Sequence, residues 1–478
     1  MQYYGKAKRK RTIALIISYI IMTLAVIALS VISIMLVLGY RFDLTSQSVE
    51  RGALLQFASN PDGATITLDG KQLSSRTPTK QDVEVGAHQV GIAKSGYRPW
   101  SKQFTLRAGE VRWLNYARLV PTTITTNVVK AFPTLADELP APDRGWIAVL
   151  ERSDQAKINI IDIRDEKNLK YSEITVPNEI LTLPEGSPHT FSFTEWDFGS
   201  RYLLVRHDFN GGHEYVRIDR SDPKNIVNIS TKFGVVFADV HFSGGDAFYG
   251  VENGNLRRFD LGSSSISEPI ARGVEQMKLY GSKDMAVVQN EAGQLKVSVV
   301  IDNKVTTVAT YDATLPVLID ISKYFNERYV AIVRGSSFEL IKNPEKSAGK
   351  GLVKVITLTY AGQVKWLDMS SNGRFVILGN STNFMTYDIE LARRTDTNLP
   401  GGSTESLKPL QWIDDFVLAS TADNKLRFAD FDGDNQQIIT DTLPYKPVVL
   451  SQNNKVLFNF ALEQDGTAAL HSVKMTVE

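Results

Sequence analysis

Polar and apolar positions divide the chain into three regimes. Residues 12–38, "TIALIISYIIMTLAVIALSVISIMLVL", contain no charged residue. At a 1.5 Å rise per residue they form about 40 Å of helix, and about 20 apolar residues suffice to cross a hydrocarbon core. From residue 54 to 119 apolar and polar positions alternate, which is the strand period. The runs 54–58, 64–68, 88–93, 102–106 and 111–117 predict strands. Asn60-Pro61-Asp62-Gly63 and Asp69-Gly70 mark turns between them, and Thr77-Pro78 and Val85-Gly86 punctuate the next connections.

From residue 128 a longer rhythm takes over. A hydrophobic strand ends in Asp, and a polar turn and a second strand follow. The copies include "INIIDIRDEKNLKYSEI", "YVRIDRSDPKNIVNI", "LRRFDLGSSSISEPI", "VSVVIDNKVTTVAT", "FMTYDIELARRTDTNL" and "LRFADFDGDNQQII". The recurring residues are Asp162, Asp219, Asp260, Asp302, Asp388 and Asp430, separated by 57, 41, 42, 86 and 42 positions. The 86 spans two periods, with "KVITLTYAGQV" at 354–364 as the copy without Asp; the 57 contains an insertion at 177–190. A second marker precedes some copies by about 20 residues: Trp196, Trp366 and Trp412, each before a turn and an apolar strand. Periods of 40–45 residues are those of four-stranded propeller blades.

The fold class expected is therefore mainly β. A single transmembrane helix precedes a small β domain and a β-propeller of about eight blades, or seven if a terminal copy is miscounted. The blades are placed at 128–183, 190–232, 235–273, 275–312, 317–362, 364–400, 407–443 and 447–478. The last has room for three strands, and 122–129, "TTITTNVV", is placed to complete it. The divisions are 1–11 basic tail, 12–38 helix, 39–53 polar linker, 54–119 β domain and 122–478 propeller.

Charge sets topology. Lys6, Lys8, Arg9, Lys10 and Arg11 precede the apolar run with no acid among them. The positive-inside rule keeps them in the cytoplasm and places the rest outside, as a single-pass membrane protein. The run continues too far for a cleaved signal peptide. Without these five the chain has 48 basic and 53 acidic residues, a slightly acidic body that argues against nucleic acid as a partner. The absence of cysteine excludes disulfides, thiolate metal sites and a cysteine nucleophile.

Residues 54–119 closely resemble the PEGA domain. The residues that carry this are Pro61, Gly63 and Ala64, with Asp62 where the family name has Glu, then Asp69-Gly70, Thr77-Pro78, Gly86 with His88, and Gly96-Tyr97. The resemblance implies a compact sandwich-like β module of prokaryotic surface and envelope proteins, without catalysis. Trp100 and Trp113 within it are either a ligand-stacking surface or cross-strand packing. The array from 128 to 478 resembles the propeller of TolB-like periplasmic proteins and the propeller half of prolyl oligopeptidases, a likeness of repeat type rather than of function.

Candidate chemistry is sparse. Residues 426–441 alternate Asp430, Asp432 and Asp434, with Asp441 at the twelfth position of a calcium-type loop. Their flanks read as strands rather than the two helices of an EF-hand, and Asn435 stands where such a loop needs Gly. A turn anchored by a repeated Asp is the expectation. The histidines are His88, His189, His207, His213, His241 and His471. His207 and His213 flank "DFNGG" and could hold a metal with Asp208, a weak ligand set. No cofactor, metal or catalytic residue is assigned. The function expected is a membrane-anchored cell-envelope binding or scaffold protein, its partner an envelope protein or glycan. The loops 177–190 and 342–351 are the places to look for contacts. The alternative is a surface hydrolase or lyase with acids in the propeller channel.

Overall fold

The computed structural model describes the backbone of residues 3–37, 40–43, 48–183, 188–346, 351–403 and 409–477, with side chains at 16–35 and from 52 onward. The chain divides into two units, Met1–Thr122 and Thr123–Glu478.

In the first unit a helix spans Tyr3–Val37, and its stretch Ile16–Met35 is long and apolar enough to cross a membrane. Its described side chains are almost all exposed, the arrangement expected of a helix solvated by lipid rather than by protein. The linker expected at 39–53 contains a short antiparallel pair, Tyr40–Asp43 with Ser48–Arg51. Seven strands follow. One sheet places Ala53–Asn60 between Thr79–Val83 and Val111–Arg118; the other orders Lys71–Arg76, Thr65–Leu68, Gly86–Ala93 and Trp100–Leu106. Leu55, Phe57, Ile66, Val90, Ile92, Trp100 and Leu114 form the core between the sheets. Two of the seven strands, Lys71–Arg76 and Thr79–Val83, give no alternating signal because each carries a single apolar residue, Leu73 and Val83, and most of their other side chains are exposed.

The second unit contains, among the described residues, eight four-stranded antiparallel sheets. Taken in chain order they are sheet one (137–175), two (189–228), three (239–266), four (274–312), five (317–359), six (366–398), seven (410–441) and eight (449–474). Within each, strands pair in sequence, as in a propeller blade. Sheet eight supplies only three strands from its own segment, Val449–Leu450, Val456–Leu462 and Ala468–Lys474. Its fourth is Thr126–Phe132, from the start of the unit, paired antiparallel with Ala468–Lys474. Sequence reasoning places this strand four residues early, at 122–129.

Separate apolar clusters weld neighbouring sheets. Leu203, Val205 and Val216 of sheet two pack on Ile158 and Ile160 of sheet one. Phe132, Phe458, Phe460 and Leu470 of sheet eight pack on Ile147, Val149 and Ile161 of sheet one. The succession thus returns to its beginning. Closure matters because an open sheet edge exposes unpaired backbone N–H and C=O groups.

Phe132 is fully buried at this joint, whereas Val128 on the same strand is exposed. Phe132→Ala should destabilise the unit by about 3–5 kcal/mol through lost burial and a residual cavity, and Val128→Ala should stay within about 0.5 kcal/mol of the parent. Urea denaturation of the two variants measures both.

Candidate ligand-binding face of the ring

The repeated Asp is a turn anchor. Asp219, at the end of the third strand of sheet two, accepts hydrogen bonds from Ser221 N–H and Oγ (2.9 and 2.6 Å) and pairs with Arg201 in the first turn of the same sheet (2.6 Å). Asp388 repeats this in sheet six, accepting from Glu390 N–H (2.9 Å) and pairing with Arg374 (2.7 Å). Asp162 accepts from Arg164 N–H, and Asp260 from Ser263 N–H. The hydrogen bonds from Arg201 and Ser221 outweigh the burial of Asp219 and hold its carboxyl well below the usual range. Asp302 departs from the pattern. It stands with Asn303 in a two-residue hairpin turn, both at positive φ, its side chain exposed beside Lys283. Such a turn selects Asp and Asn for their tolerance of left-handed backbone. Residues 426–441 form strand Lys425–Asp430, a turn and strand Gln437–Asp441. Asp430 is bonded by Asn435 Nδ2 (2.8 Å), and Asp441 pairs with Lys425.

The three Trp markers do not share one position. Trp196 and Trp412 are equivalent by register, opposite Leu203 and Leu418 at the end of the first strand. Trp366 sits at the start of its strand, opposite Gly379, where Met369 holds the register position of the other two. Trp196 Nε1 donates to Leu139 O (3.0 Å) and Trp366 Nε1 to Asn380 O (2.9 Å). The buried Nε1 of Trp412 has no acceptor.

Within a meander, the turns after the first and third strands lie at one end of the sheet. Gln452 in sheet eight donates to Asp143 O in sheet one (2.9 Å), Asp143 N–H to Ser200 Oγ in sheet two (3.2 Å), and Ser371 in sheet six to Asp415 in sheet seven (2.6 Å). These bonds link first turns of adjacent sheets, so the turns share one face of the ring. A cavity of about 490 Å³ opens there, lined by Pro140, Pro142, Arg144, Trp412, Asp415 and Pro447 among others. That volume lies within the range of small-molecule and peptide-side-chain sites.

Acids on the first strands are engaged in joining sheets. Phe193 N–H donates to Asp137 (2.6 Å), Phe242 N–H to Glu195 (2.5 Å) and Met369 N–H to Asp320 (2.8 Å), each across a sheet boundary. His241 lies between Glu195 (2.7 Å) and Asp239 (3.5 Å). Burial alone depresses its pKa, but the two carboxylates raise it to about 10. Burial, then the charge of Asp368, pushes Asp320 up to about 7.

The opposite face carries a chain of buried polar groups that sequence reasoning missed. Glu214 accepts from Thr182 N–H and Oγ1 (both 2.8 Å) and from His207 Nδ1 (2.9 Å). His207 Nε2 lies 3.1 Å from His189 Nδ1. An ionised carboxylate only accepts, so His207 Nδ1 donates to Glu214. Burial of Glu214 is outweighed by these donors, and its pKa falls to about 2. His213 instead reaches Phe237 O (2.6 Å), and Asp208 pairs with Arg206 (2.7 Å). Strand alternation explains why His207, His213 and Asp208 do not converge on one ion. Asp208 opposes His213 and His207 opposes Glu214, so the two histidines lie on opposite faces of sheet two. Thr182 belongs to the 177–190 insertion, whose described part leaves the fourth strand of sheet one at the face opposite the first turns; its residues 184–187 lie outside the described residues. Loop 342–351 follows a third strand and lies on the turn face; its residues 347–350 lie outside the described residues.

In the β domain the motif residues are bonded to one another. Gly63 (φ 79°) and Gly70 (φ 80°) take backbone conformations that favour glycine. Thr77 is buried; its Oγ1 accepts from Ala64 N–H (3.0 Å) and meets Ser59 Oγ (2.7 Å). Pro61 and Pro78 flank these bonded positions. Gly96 O accepts from Thr122 N–H (2.9 Å), and Tyr97 is buried. Asp69 accepts from Gln89 N–H (2.8 Å) and His88 Nδ1 (2.7 Å), while Gly86 (φ 135°) opens the strand that carries His88. Trp100 is core, edge-on to Tyr116 at 5.7 Å, and Trp113 is exposed on an edge strand.

One comparison with known proteins bears on the small domain. Residues 53–122 match the PEGA domain family. No curated protein matches the chain. Among solved structures, apo AztD from Citrobacter koseri aligns at 10% identity over 87% of this chain and 100% of its own, TM-score 0.40. Hydrazine synthase from Kuenenia stuttgartiensis aligns at 13% over 72% and 97%, TM-score 0.37. At these scores the likenesses carry no argument about function.

Two pH effects of opposite sign follow. Burial depresses the His88 pKa, but its hydrogen bonds to the Asp69 carboxylate and to Glu84 O raise it above its ordinary value. Its stabilisation is full below about pH 6.5 and is lost as pH rises through the folded value. Glu214 is depressed, so its stabilisation is full above about pH 4.5 and is lost as pH falls towards about 2. Melting temperature against pH should lose its alkaline slope for the small domain in His88→Gln, and its acid slope for the ring in Glu214→Gln.

Proposed function

We propose that this chain is a cell-envelope binding protein held by its N-terminal helix, with Lys6–Arg11 in the cytoplasm and the PEGA domain and ring outside. An envelope protein or glycan is the partner. The observation that carries the reading is the cavity of about 490 Å³ at the turn face, with an aromatic and prolines in its wall and Arg144 and Asp415 among its lining residues. Pockets of this make-up combine apolar area with a few polar groups that fix orientation. The PEGA match and the apolar helix before it support the placement in an envelope. The first-strand acids support the binding reading too, since Asp137 and Glu195 already accept from neighbouring backbone. A surface hydrolase remains the second reading, favoured by one observation: Asp320, raised to about 7, beside Asp368. A carboxyl of that pKa suits a general acid.

Protease added to intact cells should remove a C-terminal tag and spare an N-terminal one; protection of the C-terminal tag would reverse the orientation. Purified chain should bind envelope extract components without consuming them, and Trp412→Ala should weaken that binding about tenfold or more, in line with aromatic anchors elsewhere. Turnover of a cell-wall or peptide substrate that disappears in Asp320→Asn would select the hydrolase instead.

A further inference from the structure

The chain's own path keeps the β domain of the first unit close to the apolar helix. The helix ends at Val37, and Tyr40 pairs with Arg51 across the short hairpin, so Ala53 lies within roughly 22 Å of the helix end. Without that pairing the same stretch would reach roughly 55 Å. The strand registers say which residues share the end of the domain where the chain enters. Ala53 opposes Val83, Gly86 opposes Leu106, and Leu54 lies beside Val111 on a parallel strand. Gly109 N–H donates to Gly52 O (2.8 Å) and Leu54 N–H to Glu110 O (2.9 Å), which fastens the turn at 107–110 to the point of entry. Among the described residues of the domain three large apolar side chains are exposed, and all three are at this end: Val85 (49%), Val111 (43%) and Trp113 (43%). Val111 and Trp113 stand two positions apart and so project from one face of their strand. The opposite end, around residues 61–63, 77–78 and 94–99, exposes none.

We infer that this end of the PEGA domain rests on the lipid surface, with Val85, Val111 and Trp113 in the headgroup layer of the membrane that holds the helix. The inference rests on the membrane-anchored reading above and adds a second lipid contact to it. The short tether selects the occupant. A small folded domain is about 30 Å across, more than the span between helix end and domain entry, and the headgroup layer takes roughly 5–8 Å of that span. A folded partner does not fit between the two, whereas lipid is already there. Tryptophan suits this depth because its ring is apolar and its N–H polar, and it is enriched at membrane–water interfaces. None of the three side chains belongs to the core between the sheets. Charge at this end is mixed: Arg112 is paired with Glu110, and the exposed Lys80 and Arg107 are balanced by Asp82 and Glu84. The contact is therefore with the apolar–polar boundary of a bilayer, not with the anionic lipid that polybasic segments select.

The chain has no cysteine, so single substitutions give unique labelling sites. Full-length chain carrying Val85→Cys, Val111→Cys, Ser95→Cys or Met22→Cys is labelled with a fluorophore and placed in phosphatidylcholine nanodiscs that contain nitroxide-bearing lipid. Labels at 85 and 111 should be quenched by the lipid about threefold or more relative to the label at 95, on the opposite end, and be shielded from aqueous iodide. The label at 22, within the helix, should be quenched by lipid as well. Adding Trp113→Glu to the Val85→Cys chain should cut its lipid quenching by about half or more while the melting temperature stays level, because Trp113 is exposed on an edge strand. Lipid quenching at 22 with iodide access at 85 and 111 would overturn the inference and leave the anchored reading standing. Labels at 85 and 111 reached by neither quencher would place a second copy of the chain there and overturn it too. So would unchanged quenching in the Trp113→Glu chain. No lipid quenching at 22 would remove both.

Discussion

The ring depends on one pairing between distant parts of its chain, Thr126–Phe132 against Ala468–Lys474. Every other sheet closes within its own segment of about 40 residues. This one requires the two ends of the unit to meet, and it alone spares the array two open edges. The contact is long-range, so it carries a large loop-closure cost before it rewards the chain. The buried aromatic pair Phe132 and Phe460, 6.3 Å apart, is the local gain that offsets it. Once closed, the ring fixes its first strands around a common centre, and their turns gather on one face.

Closure also explains how acids come to lie near that centre without catalysis being implied. A short first strand has one edge facing the next sheet, and its backbone N–H groups need acceptors. Asp137, Glu195 and Asp320 supply them. The same economy appears on the turn face, where an Asp at the end of the third strand satisfies turn N–H groups and, in sheets two and six, binds an Arg from the first turn. Polar residues that look like ligands in the sequence are therefore committed to backbone.

Much of this was legible before the structure. The period of about 42 residues gives four strands per unit, and the PEGA turn residues mark their own segment. What was not legible has specific causes. Lys71–Arg76 and Thr79–Val83 lack an apolar face. Asp302 shares its neighbours' spacing but serves a different turn, because it stands inside a two-residue hairpin that selects Asp for its backbone. Trp366 shares the Trp marker but not the register. His189, His207 and Glu214 come from three strands, so no local pattern announces them.

Hydrogen exchange on the intact chain tests closure most directly. If the ends of the unit are truly joined, amides of 126–132 and 468–474 should open only with the ring as a whole, with protection matching the central strands of the other sheets. Rapid exchange of 126–132 while the remaining sheets stay protected would contradict it.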